Sequence, residues 1–175
     1  MDYLKSACFF KKFLIDKLIE ASYCQDNEWF FIDGAFDSNS LDNNDINTWY
    51  KENFAVINKD KIIGYIEGIW NRPLDIISSL RIICFDKKCG YIMTKACYNY
   101  IDYLFMIRDC KVINWSVAEK NKHAKLIYEK FISKFGGRCI GKKSRGQKSY
   151  FGKISDVFLY ELTKENYLIH KNNKK

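Results

Sequence analysis

Asn121 and Tyr128, seven residues apart in the stretch VINWSVAEKNKHAKLIYEKFISKFGG, are the pair best suited to chemistry on a small ligand. An amide both donates and accepts hydrogen bonds, so Asn121 can hold a polar ligand. A phenol can hydrogen-bond a developing thiolate or alkoxide and then protonate it. Each residue also has a plainer use. Asn121 stands where a helix N-cap is needed, and Tyr128 can simply pack its ring under a sheet.

Three further groups carry charge in places where charge needs a reason. Asp86-Lys87-Lys88-Cys89-Gly90 joins an apolar run to a helical pattern. A helix start offers free N–H groups and the positive end of the dipole, to which phosphate binds. Two lysines add charge there, and Gly90 allows close backbone approach; the plainer reading is a solvated connection. Glu67, within IIGYIEGIW, is an acid inside an apolar strand and so a general-base candidate. Alternation could instead turn it to solvent, and Glu119 is the second choice. The segment GKKSRGQKSYFGK, Gly141 to Lys153, could contact nucleic acid or an acidic substrate, with Tyr150 and Phe151 available for stacking. Otherwise it is a solvated hairpin tip.

The elements that must position these groups follow from periodicity. Residues 3–23 carry Leu4, Phe10, Phe13, Leu14, Leu18 and Ala21 at helical spacing, with lysines outward. Residues 29–32 suggest a strand, and the Asp/Asn/Ser-rich segment 37–47 a loop. Trp49-Tyr50 opens a helical turn or leads into the next strand. Phe54–Ile57 and Ile62–Trp70 form a hairpin about a tight polar turn, with Gly64 and Gly68 marking a bulge or close backbone approach. Residues 74–85 are apolar enough for a central strand. A helix over 91–108 faces Ala96, Tyr100, Tyr103 and Leu104 inward. Strand 111–117, helix 122–135, a loop from Arg138 and strand 157–162 complete the pattern. The Lys-rich end from Lys171 should fray. This order describes an α/β or α+β fold, a sheet covered by helices. Without repeat or linker, residues 1–175 form a single domain.

Composition bounds the function. The 175 residues are 47% hydrophobic and 17% aromatic, which excludes disorder. No apolar run approaches the roughly 18 residues of a membrane span. The charged start does not resemble a secretory signal, which leaves a cytoplasmic protein as the expectation. Seven cysteines without a CxxC pair and only two histidines argue against a metal site. The cysteines read as reduced, mostly buried thiols, with Cys89 in its basic turn as the one candidate nucleophile. The formal charge of +8 favours anionic partners, cofactor phosphates or nucleic acid among them. A compositional bias toward Lys, Asn and Ile would give the same excess.

A strand, a basic Gly turn opening a helix, another strand and then Asn121-x-x-Ala124-x-x-x-Tyr128 together resemble the GNAT superfamily of acyl-CoA-dependent N-acetyltransferases. The resemblance covers residues 54–162, behind an N-terminal helical and loop segment of residues 1–50. It implies a mixed, mostly antiparallel central sheet flanked by helices, with an extra N-terminal helix in place of the family's first strand. It also implies acetyl-CoA as cofactor and direct attack of a primary amine on the thioester. Cofactor contacts would come from Cys84, Phe85, Lys87, Lys88, Gly90, Tyr91 and Asn121. The strands ending near Cys84 and Val117 would splay to admit the pantetheine. Tyr128 would be the general acid and Glu67 the base. Ile92 stands at the family's second small residue, where a branched side chain would crowd the pyrophosphate. Gly136-Gly137 arrives later than the family's Gly-Phe.

The resemblance leaves other functions open. The same fold could serve as a catalytically inactive binding or structural subunit, for example of a phage or other assembly. It could also act on charged tRNA. A small molecule or a protein could supply the amine, and a homodimer is compatible with all of these.

Overall fold

The computed structural model describes residues 4–6, 11–22, 49–149 and 151–173. The strand expected over 29–32, the loop over 37–47 and Tyr150 lie outside them. Strands β1 (Leu4–Ser6), β2 (Trp49–Asn58), β3 (Lys61–Asn71), β4 (Ile76–Cys84), β5 (Val112–Ala118), β6 (Arg138–Lys148) and β7 (Ile154–Thr163) form one sheet. Their order is β1-β2-β3-β4-β5-β7-β6, antiparallel except between β4 and β5. The helices are α1 (Lys11–Ser22), α2 (Gly90–Met106), α3 (Lys122–Phe135) and α4 (Lys164–Asn172). None of the described helices is long and apolar enough to cross a membrane.

Alternation along the strands sorts the core onto two faces. On one face, Ile66 and Trp70 of β3 pack with Met93, Tyr100 and Leu104 of α2. Helices α3 and α4 share that face: Tyr98 stacks on Phe131, and Phe105 meets Tyr167 with the ring planes tilted by 37°. On the other face, Leu14 and Leu18 of α1 pack on Ala55, Tyr65 and Ile83. The β2–β3 turn is Lys59-Asp60, both at positive φ (46° and 64°), the mirror-image geometry that suits strand twist. Gly64 and Gly68 are places of close approach. A Cβ at Gly64 would stand 2.4 Å from Met93 Sδ and 2.7 Å from the Ile83 carbonyl, and one at Gly68 would stand 2.2 Å from Tyr100 Oη.

Three expectations need correction. The N-terminal helix begins at Lys11, not near residue 3, and strand β1 precedes it, in register Leu4↔Val56. Leu4 is buried against the main core, which a strand at the sheet edge accomplishes. The segment from Arg138, expected as a loop, is β6. Its alternation was hidden because most of this edge strand is solvent-exposed and shifts register twice against β7. Finally, the Lys-rich end expected to fray from Lys171 is helical to Asn172, as the last turn of α4, a helix capped where the Thr163 hydroxyl accepts from Asn166 N–H at 3.2 Å.

Candidate active site

Strands β4 and β5 are paired at two positions only, Ile76↔Val112 and Ile77↔Ile113. Beyond them β4 stays with β3 and β5 with β7, so the sheet opens. Ser78 is the extra residue of a bulge, between pairs Trp70↔Ile77 and Ile69↔Ser79, and its hydroxyl donates to the Ile69 carbonyl at 3.1 Å. A bulge bends its strand, and here it sits where the two strands part.

A cavity of about 260 Å³ occupies the opening, lined by Ser78, Ser79, Asn114, Trp115 and Tyr160 among others. Trp115 Nε1 and Asn114 Oδ1 are buried there without a hydrogen-bond partner among the described residues. An unmet buried polar group costs roughly 1–3 kcal/mol. Trp115 packs against Tyr128 and Tyr160 on the helical face and Asn114, the preceding residue of the strand, projects to the other, so the open donor and the open acceptor lie on opposite faces of the sheet.

Tyr128 flanks this opening from the helical face. Its ring lies 5.9 Å from that of Trp115 and 6.3 Å from that of Tyr160. Burial, reinforced by nearby Cys97, pushes the phenol above its ordinary value, so it stays protonated at neutral pH. Asn121 caps α3, its Oδ1 accepting from Ala124 N–H at 3.1 Å. The helix ends at Gly136, whose φ of 74° suits the left-handed closing position.

Glu67 lies on the opposite face, one strand from the opening, and is 2% exposed. The plainer reading, a solvent-facing acid, is therefore wrong. Its carboxylate lies 2.9 Å from Tyr65 Oη, 3.3 Å from Arg81 and 3.8 Å from Lys51. Tyr65 Oη is also 2.6 Å from Asn53 Oδ1. One phenol proton serves one acceptor; given to Glu67, it leaves the Asn53 amide to turn its NH₂ toward the phenol oxygen. Glu119 is ion-paired to Lys142 at 3.0 Å, at the far end of β5.

The turn before α2 is internally engaged. Cys89 N–H donates to Asp86 O at 2.9 Å, Gly90 N–H to Lys87 O, and Lys88 N–H to Asp86 Oδ1 at 2.9 Å. Asp86 thus places a carboxylate where an anion would bind. Lys87, Lys88 and Tyr91 are exposed, and a Cβ at Gly90 would meet open space. Ile92 packs against the main core, so its branched side chain does not crowd the turn as expected. Phe85 packs in the α1 cluster and its N–H donates to Ile63 O at 2.8 Å. Cys84 is half-buried, and desolvation raises its thiol pKa.

Sequence reasoning missed Asn114 and Trp115, which the apolar strand pattern disguised, and the role of Asp86. An aspartate two residues before an N–H it can accept from is the signature of an Asx turn, so that signal was present.

No family model matches the sequence, and no curated protein matches it significantly. Solved structures do. A spermidine N-acetyltransferase from Vibrio cholerae, in complex with CoA and spermine, is 20% identical over 94% of this chain and 96% of that one, at a TM-score of 0.72. A provisionally named acetyltransferase from T. thermophilus is 13% identical over 91% of this chain and 85% of that one, at 0.67. Another provisionally named acetyltransferase is 17% identical, at 0.59, over 70% of this chain; the match spans 61% of that protein. The chain thus shares its fold with solved acetyltransferases over nearly its whole length.

Proposed function

We propose that residues 1–175 form one domain that acts as an acetyl-CoA-dependent N-acetyltransferase on a primary amine. The observation that carries this reading is the opening between β4 and β5, with the unpartnered Trp115 Nε1 and Asn114 Oδ1 beside it. Acetyl-CoA would supply the activated acetyl thioester. Lys87, Lys88, Gly90 and Tyr91 around the turn would hold its phosphate end, Cys84 and Phe85 at the end of β4 would flank its pantetheine, and Asn121 would contact its arm. The two lysines must outweigh the Asp86 carboxylate for this to work.

The opening lets one bound molecule meet groups on both faces of the sheet. Tyr128, on the helical face, would donate its proton to the leaving sulfur. Glu67, on the other, would accept the proton of the attacking amine, directly or through water. Trp115 orients Tyr128 by ring contact, so the phenol needs no reorganisation to act.

Thermal denaturation with acetyl-CoA, followed by thiol release with a panel of primary amines, tests the reading. A ligand at about 100 times its dissociation constant stabilises the fold by about 2.7 kcal/mol. Stabilisation with release supports the transferase. Neither at millimolar cofactor would leave a fold that only binds or builds.

A further inference from the structure

A second cavity, about 330 Å³, lies beside the first and shares Ser116 with it. Its lining includes Arg145, Gly146, Gln147 and Lys148, and among the described residues no carboxylate lines either cavity. We propose that the acceptor amine carries an anionic group, phosphate or carboxylate, which Arg145 and Lys148 hold while the amine reaches the opening between β4 and β5. The proposal rests on the transferase reading and names the class of its substrate.

Arg145 is placed by a built feature of β6. The strand shifts register between Lys143 and Gln147, and Arg145 itself sits at φ 49°, a conformation uncommon for a side chain of its size. Its backbone N–H donates to Asp156 Oδ1 at 2.9 Å, which fixes the bulge. Gly146 belongs to the same device, since a Cβ there would stand 3.0 Å from Val157 Cγ2. Bulges re-aim side chains, and the residue at this one, Arg145, lines the cavity.

The nearby acids are already occupied. Lys142 binds Glu119 at 3.0 Å and Asp156 at 3.1 Å. The side chains of Arg145 and Lys148 have no carboxylate partner among the described residues. On the other side of the opening Glu67 has Arg81 and Lys51 against it. A polyamine would therefore meet cations at both ends of the path, with Glu67 already paired between them. Like charges repel and disfavour such a partner. Two cationic residues lining one cavity instead suit an anion, which they would hold through charge-assisted hydrogen bonds. The acceptor thus differs in charge from the spermine bound by the structural neighbour.

The test compares 4-aminobutyrate and O-phosphoethanolamine with butylamine and spermidine as acceptors in thiol release. The anionic amines should exceed butylamine in kcat/KM by about tenfold or more, the effect of one charged hydrogen bond. The two anionic probes separate carboxylate from phosphate. The double variant Arg145→Asn, Lys148→Gln should lose that preference; asparagine tolerates the left-handed backbone at position 145. Calorimetric titration of the same two anionic amines without acetyl-CoA isolates this inference from the transferase reading. Binding that the double variant abolishes, with no thiol release from any amine, would overturn the reaction and keep the anion site. Spermidine as the best acceptor, no binding of either anionic probe, or equal binding by both proteins overturns the proposal.

Discussion

Trp115 of β5 and Tyr128 of α3 meet with ring centroids 5.9 Å apart and planes inclined at 55°. Trp115 also stacks on Tyr160 at 5.8 Å, while its Nε1 lacks a partner among the described residues. One indole thus fixes the phenol on one side and leaves a donor at the opening on the other. The pair ties the parallel strand junction to the helix carrying the proposed acid.

Tyr128→Phe keeps the ring and both aromatic contacts. Turnover should fall on the order of a hundredfold, the usual contribution of a general acid, with acetyl-CoA affinity unchanged by calorimetry. An unaltered rate removes Tyr128 from the reaction.

Glu67→Gln separates a base from a strut. Arg81 and Lys51 would lose a buried partner, and because both cations are part-exposed the cost should be about 1–2 kcal/mol in urea denaturation. A base additionally requires that the acidic limb of kcat/KM disappear in the variant. A limb that survives assigns Glu67 to structure alone.

Gly90→Ala and Gly64→Ala should behave as opposites. Gly90 has open space around a Cβ and φ of −53°, so alanine should leave the melting temperature level or raise it slightly. If the backbone approaches a diphosphate closely, cofactor affinity nevertheless drops. At Gly64 the new methyl meets Met93 and the Ile83 carbonyl, and the fold should lose about 1–3 kcal/mol.

Asp86→Asn keeps an oxygen for Lys88 N–H and removes the negative charge. CoA should bind about threefold more tightly, an exposed charge at a helix start being worth roughly 0.3–1 kcal/mol, and the gain should shrink with salt. No change in titrations at low salt would place the phosphates elsewhere.

Alkaline unfolding follows from the phenols. Burial raises Tyr65, Tyr100 and Tyr128 above the ordinary 10.0. A group whose folded pKa is raised contributes in full below its unfolded pKa, and the contribution is lost as pH rises beyond it. Stability should therefore hold to about pH 10 and fall above it. Denaturation midpoints that stay flat well beyond that pH would contradict the burial.

Much of the frame was legible because its residues repeat a simple physical demand. Helix α3 begins and ends where Asn121 and Gly136 said it should, since a cap and a left-handed closing residue are local requirements. Strands β2 to β5 followed from apolar runs and a turn. Strand β6 was not legible: an exposed edge strand with two register shifts has no period to read. At the turn, Ile92 drew attention because it breaks a pattern, whereas Asp86 is the residue that alters the chemistry.

The sequence alone determined the local elements, the positions of Asn121 and Tyr128 on one helix, and the resemblance that set the expected fold. Only the tertiary structure decided that β4 and β5 part after two pairs, that Glu67 is buried on the opposite face, and that Trp115 and Asn114 are left with open polar atoms. Periodicity and capping act over a few neighbouring residues. Strand divergence, burial and an unmet hydrogen bond depend on segments that meet only when the sheet has formed.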